Sequence, residues 1–371
     1  MDPGAPLRVL HAAQPVDGGV ARAVAQTAID QVGRGWDVTI ACPDGQLADD
    51  LAGAGVRRLR WDARRAQRSS TPAQVAAFAG LVRRVGPEVV HLHSSSAGMT
   101  GRLALRARRP TLFQPHGWSW QAVGGRLAQA ATGWERLAAR WTHLAVCVSE
   151  AELRNGRSVG LRLPMEVVRN AVDTQEFVPG DRRAARQQLG LTDVPHALFV
   201  GRLDAQKGAE VLVRAWPRVR TEVPEAVLLL VGEGDRGPAL RALAAELGMQ
   251  DAVRFVGPQL DVRPWYAAAD VVGFCSRWGE GMALVPLEAQ AAGRPVVASD
   301  VNGIAEVLGP DRGAIVPAED EQAFAHELGL RLADPGRVAA EGRAAREYAV
   351  RELDSRRTLT ALAGLTVALR G

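Results

Sequence analysis

The apolar positions of this chain fall into short continuous runs, separated by longer stretches with helical spacing. In the first half, LRVLHAA (7–13), DVTIAC (37–42), EVVHLHS (88–94), PTLFQPHG (110–117), HLAVCVSE (143–150) and MEVVRN (165–170) read as buried strands. Between several of them lie GGVARAVAQTAIDQVGRG (18–35), AQVAAFAGLVRRVG (73–86) and RLAQAATGWERLAARW (126–141), whose apolar residues recur every three or four positions. In the second half, HALFVG (196–201), AVLLLVGEG (226–234), VRFVG (253–257), DVVGFC (270–275) and RPVVAS (294–299) alternate with VLVRAWPRVR (211–220), ALRALAAELG (239–248) and ALVPLEAQAAG (283–293). Continuous apolar strands alternating with helices predict parallel sheets covered on both faces. The series occurs twice in tandem, so the prediction is an α/β protein of two Rossmann-like domains, 1–172 and 173–352, joined within VRNAVDTQEFVPG (168–180). The last stretch, LDSRRTLTALAGLTVALRG (353–371), is a further helix whose packing partner the pattern does not give.

Composition leaves this picture standing. The 371 residues are 47% apolar, enough for two ordinary cores. No apolar run reaches the ~20 residues of a membrane span. The start, MDPGAPLRVLHAAQ, enters a strand without a basic region or a long apolar one, so a cytoplasmic protein is expected. Cys42, Cys147 and Cys275 are far apart and each lies in an apolar run, which predicts buried thiols in a reducing compartment.

Charge adds an asymmetry. Residues 1–169 hold 22 Arg against 13 acidic residues, whereas 170–371 hold 22 Arg and one Lys against 28. The balance changes sign at the expected join. RRLRWDARRAQR (57–68) and RLALRARR (102–109) are clusters that attract phosphate, including that of anionic lipid, although a solvated helix face accounts for such runs as well. No helix-turn-helix, zinc or RNA-binding motif accompanies them, so nucleic acid is not an expected partner.

The candidate chemistry begins with the sole lysine. Of 45 basic side chains only Lys207 is not arginine. It lies in GRLDAQKG (201–208), a strand-to-helix loop that also holds Gly201 and Arg202, the kind of place where α/β proteins bind phosphate. A mobile ammonium beside a rigid guanidinium supplies two different cations. The second constellation is GEGMALVPLEAQAAG (279–293). Glu280 precedes an apolar helix near its N-cap, and Glu288 lies about two turns inside it among apolar neighbours, where an unpartnered carboxylate is costly. Gly281, Met282 and Ala283 would turn helix-start amides toward an anion.

Together with GGVARAV (18–24), PHG (115–117), VSE (148–150), RNAVD (169–173) and VGEGD (231–235), these motifs occur in one order over roughly 7–350. In that order the chain resembles a retaining GT-B glycosyltransferase of family 4. The resemblance implies two domains facing a central cleft, the C-terminal one binding a nucleotide-diphospho-sugar, with the last helix, 353–371, returning to the N-terminal, acceptor-binding domain. It implies that Arg202 and Lys207 clamp the diphosphate, Glu288 takes the ribose hydroxyls and Glu280 a donor-sugar hydroxyl. Gly201 and the amides of Gly281, Met282, Ala283 and Leu284 would line the donor site, and the backbone near Val256 would meet the base. Gly18 and Gly19 would approach the diphosphate from the other domain, with His116 beside the donor sugar. The family's usual Gly-Phe-Gly after the first glutamate is Gly-Met-Ala here, which predicts a differently shaped sugar pocket. No cofactor or metal is implied; the nucleotide sugar is a co-substrate. The acceptor is a small molecule, glycan or lipid-linked compound, the last calling for peripheral contact with the inner membrane surface through the basic N-terminal domain.

Other signals are weaker. GEGDRG (232–237) fits a dinucleotide fingerprint, but the acid expected ~20 residues on is missing. His91 and His93 alternate on one strand as metal ligands can, yet no carboxylate or cysteine pair joins them, which favours packing or cleft lining. His93, Trp118 and Trp120 are candidates for acceptor contact. Two other readings stand beside transfer: a GT-B sugar-nucleotide epimerase or hydrolase, and an inactive nucleotide-binding scaffold.

Overall fold

The computed structural model describes residues 5–62 and 72–370. Its chain divides into two compact units, Met1–Asn170 with Arg356–Gly371, and Ala171–Ser355. The first holds seven strands: β1 Arg8–Ala13, β2 Asp37–Cys42, β3 Arg57–Arg60, β4 Val89–His93, β5 Thr111–Gln114, β6 Leu144–Cys147 and β7 Met165–Val167. They form one parallel sheet in the order β3-β2-β1-β4-β5-β6-β7. The second holds β8 His196–Val200, β9 Val227–Val231, β10 Val253–Gly257, β11 Val271–Phe274, β12 Val296–Ser299 and β13 Gly313–Val316. These are parallel too, in the order β10-β9-β8-β11-β12-β13.

The strands read as continuous apolar runs because both faces are covered. Every residue of β4, β5, β6, β11 and β12 is buried. Both sheets reverse their strand order once, between β1 and β4 in the first unit and between β8 and β11 in the second. At such a reversal the connections leave in opposite directions and open a crevice beyond the carboxyl ends of the strands. In each unit that crevice is where candidate residues gather.

The helix Ser355–Ala368 belongs almost wholly to the first unit. Its Leu362, with Leu365 and Leu369, packs on Leu112, Leu144, Val146 and Val168, and Thr358 Oγ1 donates to the Arg169 carbonyl at 2.8 Å. Each leucine fully buried there contributes about 1.5–3 kcal/mol. The amphipathic pattern of this segment is thus spent on the first sheet.

The two basic clusters are less available than the charge count implies. Arg58 and Arg60 pair with Asp44, and Arg60 also with Asp62; residues 63–68 of that run lie outside the described residues. Arg102, in the second run, is 1% exposed. It holds Glu135 through two bonds of 2.7 and 3.0 Å and stacks on Phe113. It joins two helices inside the unit and offers no surface charge. The three cysteines are buried and unbridged.

Candidate active site

In the second unit, the loops after β8 and β11 meet at the strand-order reversal. Lys207 Nζ donates to Glu280 Oε1 at 2.6 Å, and Ser276 Oγ donates to the same oxygen at 2.7 Å. Glu280 is 8% exposed, so this carboxylate is held by a cation and a hydroxyl in a largely dry setting. Lys207 is fixed further by its own amide, which donates to Asp204 Oδ1 at 2.9 Å. Arg202 donates to Asp204 Oδ2 at 2.8 Å and to Gln206 Oε1 at 3.1 Å, leaving its guanidinium partly in solvent. Asp204 therefore spaces both cations. Nothing in the motif pattern singled it out, although it sits between them.

The loop holds this shape through glycines. Gly232 has φ +133°, and a Cβ there would lie 1.9 Å from the Gly201 carbonyl oxygen; one at Gly234 would lie 2.3 Å from that of Leu203. The amide of Leu203 donates to Glu233 O and that of Arg236 to Leu203 O. The glycines of GEGDRG thus let two backbones touch, which explains the fingerprint without a dinucleotide. Gly208 has φ +64°, and a Cβ there would meet the Cys275 carbonyl at 2.5 Å, so the β8 loop also locks onto the β11 loop.

The helix Leu284–Ala291 has Ala283 as its N-cap residue, whose own side chain makes no capping hydrogen bond. Met282 and Ala283 are buried, and Glu280 lies four residues before the helix. Glu288 is the fifth helical residue, little more than one turn inside rather than two, and is 2% exposed. Tyr266 donates its hydroxyl to Glu288 Oε2 at 2.8 Å. This tyrosine was not anticipated; being one of only two in the chain was its one signal. At the sheet edge, the β10 ladder shifts register between Phe255 and Gly257, so Val256 is passed over in the pairing with β9. A hollow of about 300 Å³ lined by Asp204, Gly208, Arg214, Arg236 and Arg277 adjoins this cluster through Asp204 and Gly208 but contains neither Lys207 nor Glu280 nor Glu288.

In the first unit the reversal between β1 and β4 gathers a different chemistry. Gly18 opens the helix Gly18–Gly33 with φ +72°, and the space where its Cβ would be is open for 4 Å. Gly19 follows as the second residue of that helix. His116 and Ser94, at the ends of β5 and β4, both have positive φ, 54° and 68°. Strained non-glycine residues gather at functional sites. Ser94, with Asp204 and Tyr266, is a third residue that sequence reasoning missed.

The His116 turn is held by Glu152. Its carboxylate accepts from the amides of Gly117 at 2.5 Å and Val148 at 2.6 Å, while Ser149 Oγ caps the same helix by accepting from the Glu152 amide. Burial pushes the Glu152 carboxyl up to about 7, against the pull of those two amides.

Three imidazoles line up behind His116. His93 Nδ1 lies 3.3 Å from His116 Nε2, His93 Nε2 lies 3.0 Å from His11 Nδ1, and His11 Nε2 lies 2.8 Å from Gln31 Oε1. His91 lies against His93 with ring centroids 3.9 Å apart and planes at 30°, its two ring nitrogens buried. Burial first, and neighbouring imidazoles second, hold His91 and His93 well below the ordinary histidine range; burial puts His11 and His116 near 4. His11, His91 and His93 bring ring nitrogens within 4.8 Å of one another. Tetrahedral ligation with metal–nitrogen bonds of ~2.0–2.1 Å places ring centroids about 5 Å apart. His91 and His93, with centroids 3.9 Å apart and ring planes at 30°, are closer than that and pack ring against ring.

Two acceptor candidates need correction. Trp118 is 2% exposed: its Nε1 donates to the Glu152 carbonyl at 2.7 Å, and its ring lies against Trp120, Phe113 and the gap left by Gly156. Both ring faces are covered, so it packs the core. His93 is 1% exposed and belongs to the imidazole line, since on β4 it points under the sheet's covering layer. Trp120 is half-buried against the same core.

Comparison with known proteins follows the same division. Residues 17–176 match the model of Glycosyltransferase Family 4, and residues 194–334 that of Glycosyl transferases group 1. A D-inositol 3-phosphate glycosyltransferase of Saccharomonospora viridis is 32% identical over 381 residues, covering 93% of this chain and 88% of that one. A GDP-mannose-dependent alpha-(1-6)-phosphatidylinositol monomannoside mannosyltransferase of Mycolicibacterium smegmatis is 34% identical over 254 residues, 62% of this chain and 66% of its own. With other curated relatives the match spans about half their length, as with the D-inositol 3-phosphate glycosyltransferase 2 of Catenulispora acidiphila, 38% identical over 50% of this chain and 47% of that one. Among solved structures, Anabaena HepE in complex with UDP and glucose superimposes with a TM-score of 0.85 at 21% identity, over 97% of this chain and 99% of that one. At that identity the likeness shows a shared GT-B fold.

Proposed function

The chain belongs to glycosyltransferase family 4, and on that premise we propose that it transfers a sugar from a nucleotide-diphospho-sugar to an acceptor hydroxyl with retention of anomeric configuration. The observation that carries this reading is the convergence of Lys207, Ser276 and Glu280 where the second sheet reverses its strand order. Lys207 and Arg202 offset the charge that grows on the departing diphosphate. Each is already oriented, one by Glu280 and both by Asp204, so little reorganisation is needed when the diphosphate arrives. The bond from the anomeric carbon to the diphosphate oxygen breaks, and the acceptor oxygen bonds to the same face. The departing phosphate oxygen takes the acceptor's proton.

Glu280 serves a hydroxyl of the donor sugar, and Glu288, steadied by Tyr266, serves the ribose. The amides of Gly281, Met282, Ala283 and Leu284 face phosphate and sugar, beside Gly201, and the bulged backbone at Val256 meets the base. Gly18, Gly19 and His116 contribute from the first unit. All of this uses groups of the chain itself, without a bound metal. Since relatives are named for inositol 3-phosphate and for phosphatidylinositol monomannoside, those two compounds head the list of acceptors.

A lipid-linked acceptor would bring a cytoplasmic protein to the inner membrane surface. No described helix is long and apolar enough to cross a membrane. Supporting peripheral contact, the helix Gly125–Ala138 exposes Leu127, 62% accessible, beside Arg126. Failure to bind anionic vesicles at low salt would remove that part of the reading.

The test of the donor site is a thermal-shift panel of UDP-, GDP-, ADP- and dTDP-sugars. A ligand at a hundred times its dissociation constant stabilises by ~2.7 kcal/mol. One nucleotide should raise the melting temperature of the wild type and fail to do so for Glu288→Ala. An unmoved transition across the panel, or the same shift in the variant, would contradict the assignment.

A further inference from the structure

The imidazole line in the first unit is not needed to fold a parallel sheet. His11, His91 and His93 lie on the face that carries Leu112 next door, because His11 pairs with His91, and His91 with Leu112. Leu112 itself packs under Leu362. Leucine or valine would fill the neighbouring positions without buried ring nitrogens that require partners. A polar line has been kept where an apolar layer would do, and it ends at His116.

The hydrogen bonds along the line are coupled. A neutral imidazole has one N–H donor and one bare nitrogen acceptor. Gln31 Oε1 is an acceptor, so His11 donates to it from Nε2 and keeps Nδ1 bare. His93 then donates from Nε2 to His11 Nδ1, which leaves its own Nδ1 bare. His116 in turn donates from Nε2 to His93 Nδ1. The choice made at Gln31 is passed through three rings, and His116 is left with a bare Nδ1, buried and without a partner among the described residues. Such a nitrogen accepts a hydrogen bond from a hydroxyl. The low proton affinity of all four rings keeps one proton on each, as the line requires.

We propose that His93 and His11, anchored by Gln31, are positioning residues that hold His116 in one orientation and in the Nε2–H tautomer, so that its Nδ1 accepts a hydroxyl of the donor sugar. This rests on the reading of His116 as a donor-sugar contact. Gln31 sits near the C-terminal end of the helix Gly18–Gly33, so the line ties the His116 turn, through β4 and β1, to that helix. His91, whose ring centroid lies 3.9 Å from that of His93, limits the room in which that ring can move.

Two measurements on the full chain test this. Ring nitrogen NMR of the wild type should show Nε2–H for His11, His93 and His116. In His93→Phe, which keeps the ring stack but removes both ring nitrogens, His116 should become a mixture of tautomers. An unchanged His116 signal in that variant, or Nδ1–H for His116 in the wild type, would overturn the proposal.

Kinetics with GDP-mannose and with UDP-glucose as donor probes give the second readout. His93→Phe should lower kcat about tenfold with the donor KM within about twofold, the signature of a misplaced catalytic group. His93→Asn can still reach His116 from the Nδ1 position, whereas His93→Gln reaches only toward His11, so the asparagine variant should lose less kcat than the glutamine one. Equal losses in two folded variants would mean a merely structural role. In the His116→Ala background, His93→Phe should cost nothing more. The two possible failures separate cleanly. Wild-type turnover in His116→Ala sinks the reading of His116, whereas a slow His116→Ala beside a fast His93→Phe sinks the positioning role alone.

Discussion

Lys207 has a geometric job that an arginine would not do. Its ammonium reaches Glu280 at 2.6 Å while its own amide is tied to Asp204, and the loop between them turns through Gly208. A broad planar fork has to push past Ser276 or leave Glu280, although its charge is the same. Lys207→Arg should therefore fold normally and lose at least about tenfold in kcat/KM, or ~1.4 kcal/mol of barrier. Wild-type kinetics would show that charge alone suffices. Tyr266 makes a second case at this scale. Removing its hydroxyl takes a donor from a glutamate that is 2% exposed, at a cost of about 1–3 kcal/mol. Tyr266→Phe should weaken nucleotide binding in calorimetry by about tenfold with little change in kcat. An unaltered affinity would detach Glu288 from the ribose.

What the sequence made legible at this scale follows from distance along the chain. Arg202 and Lys207 share one loop, and Glu280 and Glu288 flank one helix start, so spacing alone could group them. Tyr266 meets Glu288 from another helix, Glu152 reaches Gly117 across 35 residues, and His11 meets His93 across 82. Those meetings depend on strand order, in which β1 lies beside β4. A single sequence does not disclose that. Trp118 misled for the opposite reason: it adjoins the PHG turn in sequence, yet its indole is drawn inward by the Glu152 carbonyl and the space beside Gly156.

At the scale of elements, the loops after β8 and β9 behave as one object. Gly201 donates its amide to Val231 O, Leu203 donates to Glu233 O, and Gly232 and Gly234 stand where any side chain would strike the opposing carbonyls. Apolar runs gave the strands and their helices because parallel sheets bury both faces. Loop-to-loop locking left only a glycine pattern, open to more than one reading until the backbones were seen to touch. Gly232→Ala must separate the pair, since 1.9 Å is far inside any tolerated contact and φ +133° is strained for alanine. We expect a loss of about 3 kcal/mol or more in denaturant unfolding, and a clear fall in nucleotide affinity as Arg202 and Lys207 shift. A variant as stable as the wild type would mean that the loops separate at little cost.

For the whole molecule, buried histidines govern the response to acid. Burial holds His11, His116 and His196 near 4, and His91 and His93 well below the ordinary range of about 6.5. The unfolded chain takes up these protons below pH ~6.5 and the native one does not, so their stabilisation is present above that pH and is lost as pH falls toward 4. Glu152 acts in the reverse sense: held near 7, it keeps a proton in the native state that the unfolded chain has released, and so favours folding toward lower pH. Five imidazoles against one carboxyl decide the sign. Urea unfolding free energy should drop steadily between pH 6.5 and 5, by about 2 kcal/mol at the lower limit for each of His11, His116 and His196, the three held near 4. A flat profile would mean that these rings take up protons in the fold as they do in the unfolded chain.

The central claim is same-face sugar transfer with Lys207 carrying the donor diphosphate. Proton NMR of the product, made from the nucleotide sugar that the thermal-shift panel selects, tests it most directly. An α-linked donor should give an α-linked product, and Lys207→Ala should make less than about a tenth as much in the same time. A β-linked product, or wild-type yield from Lys207→Ala, would contradict the account.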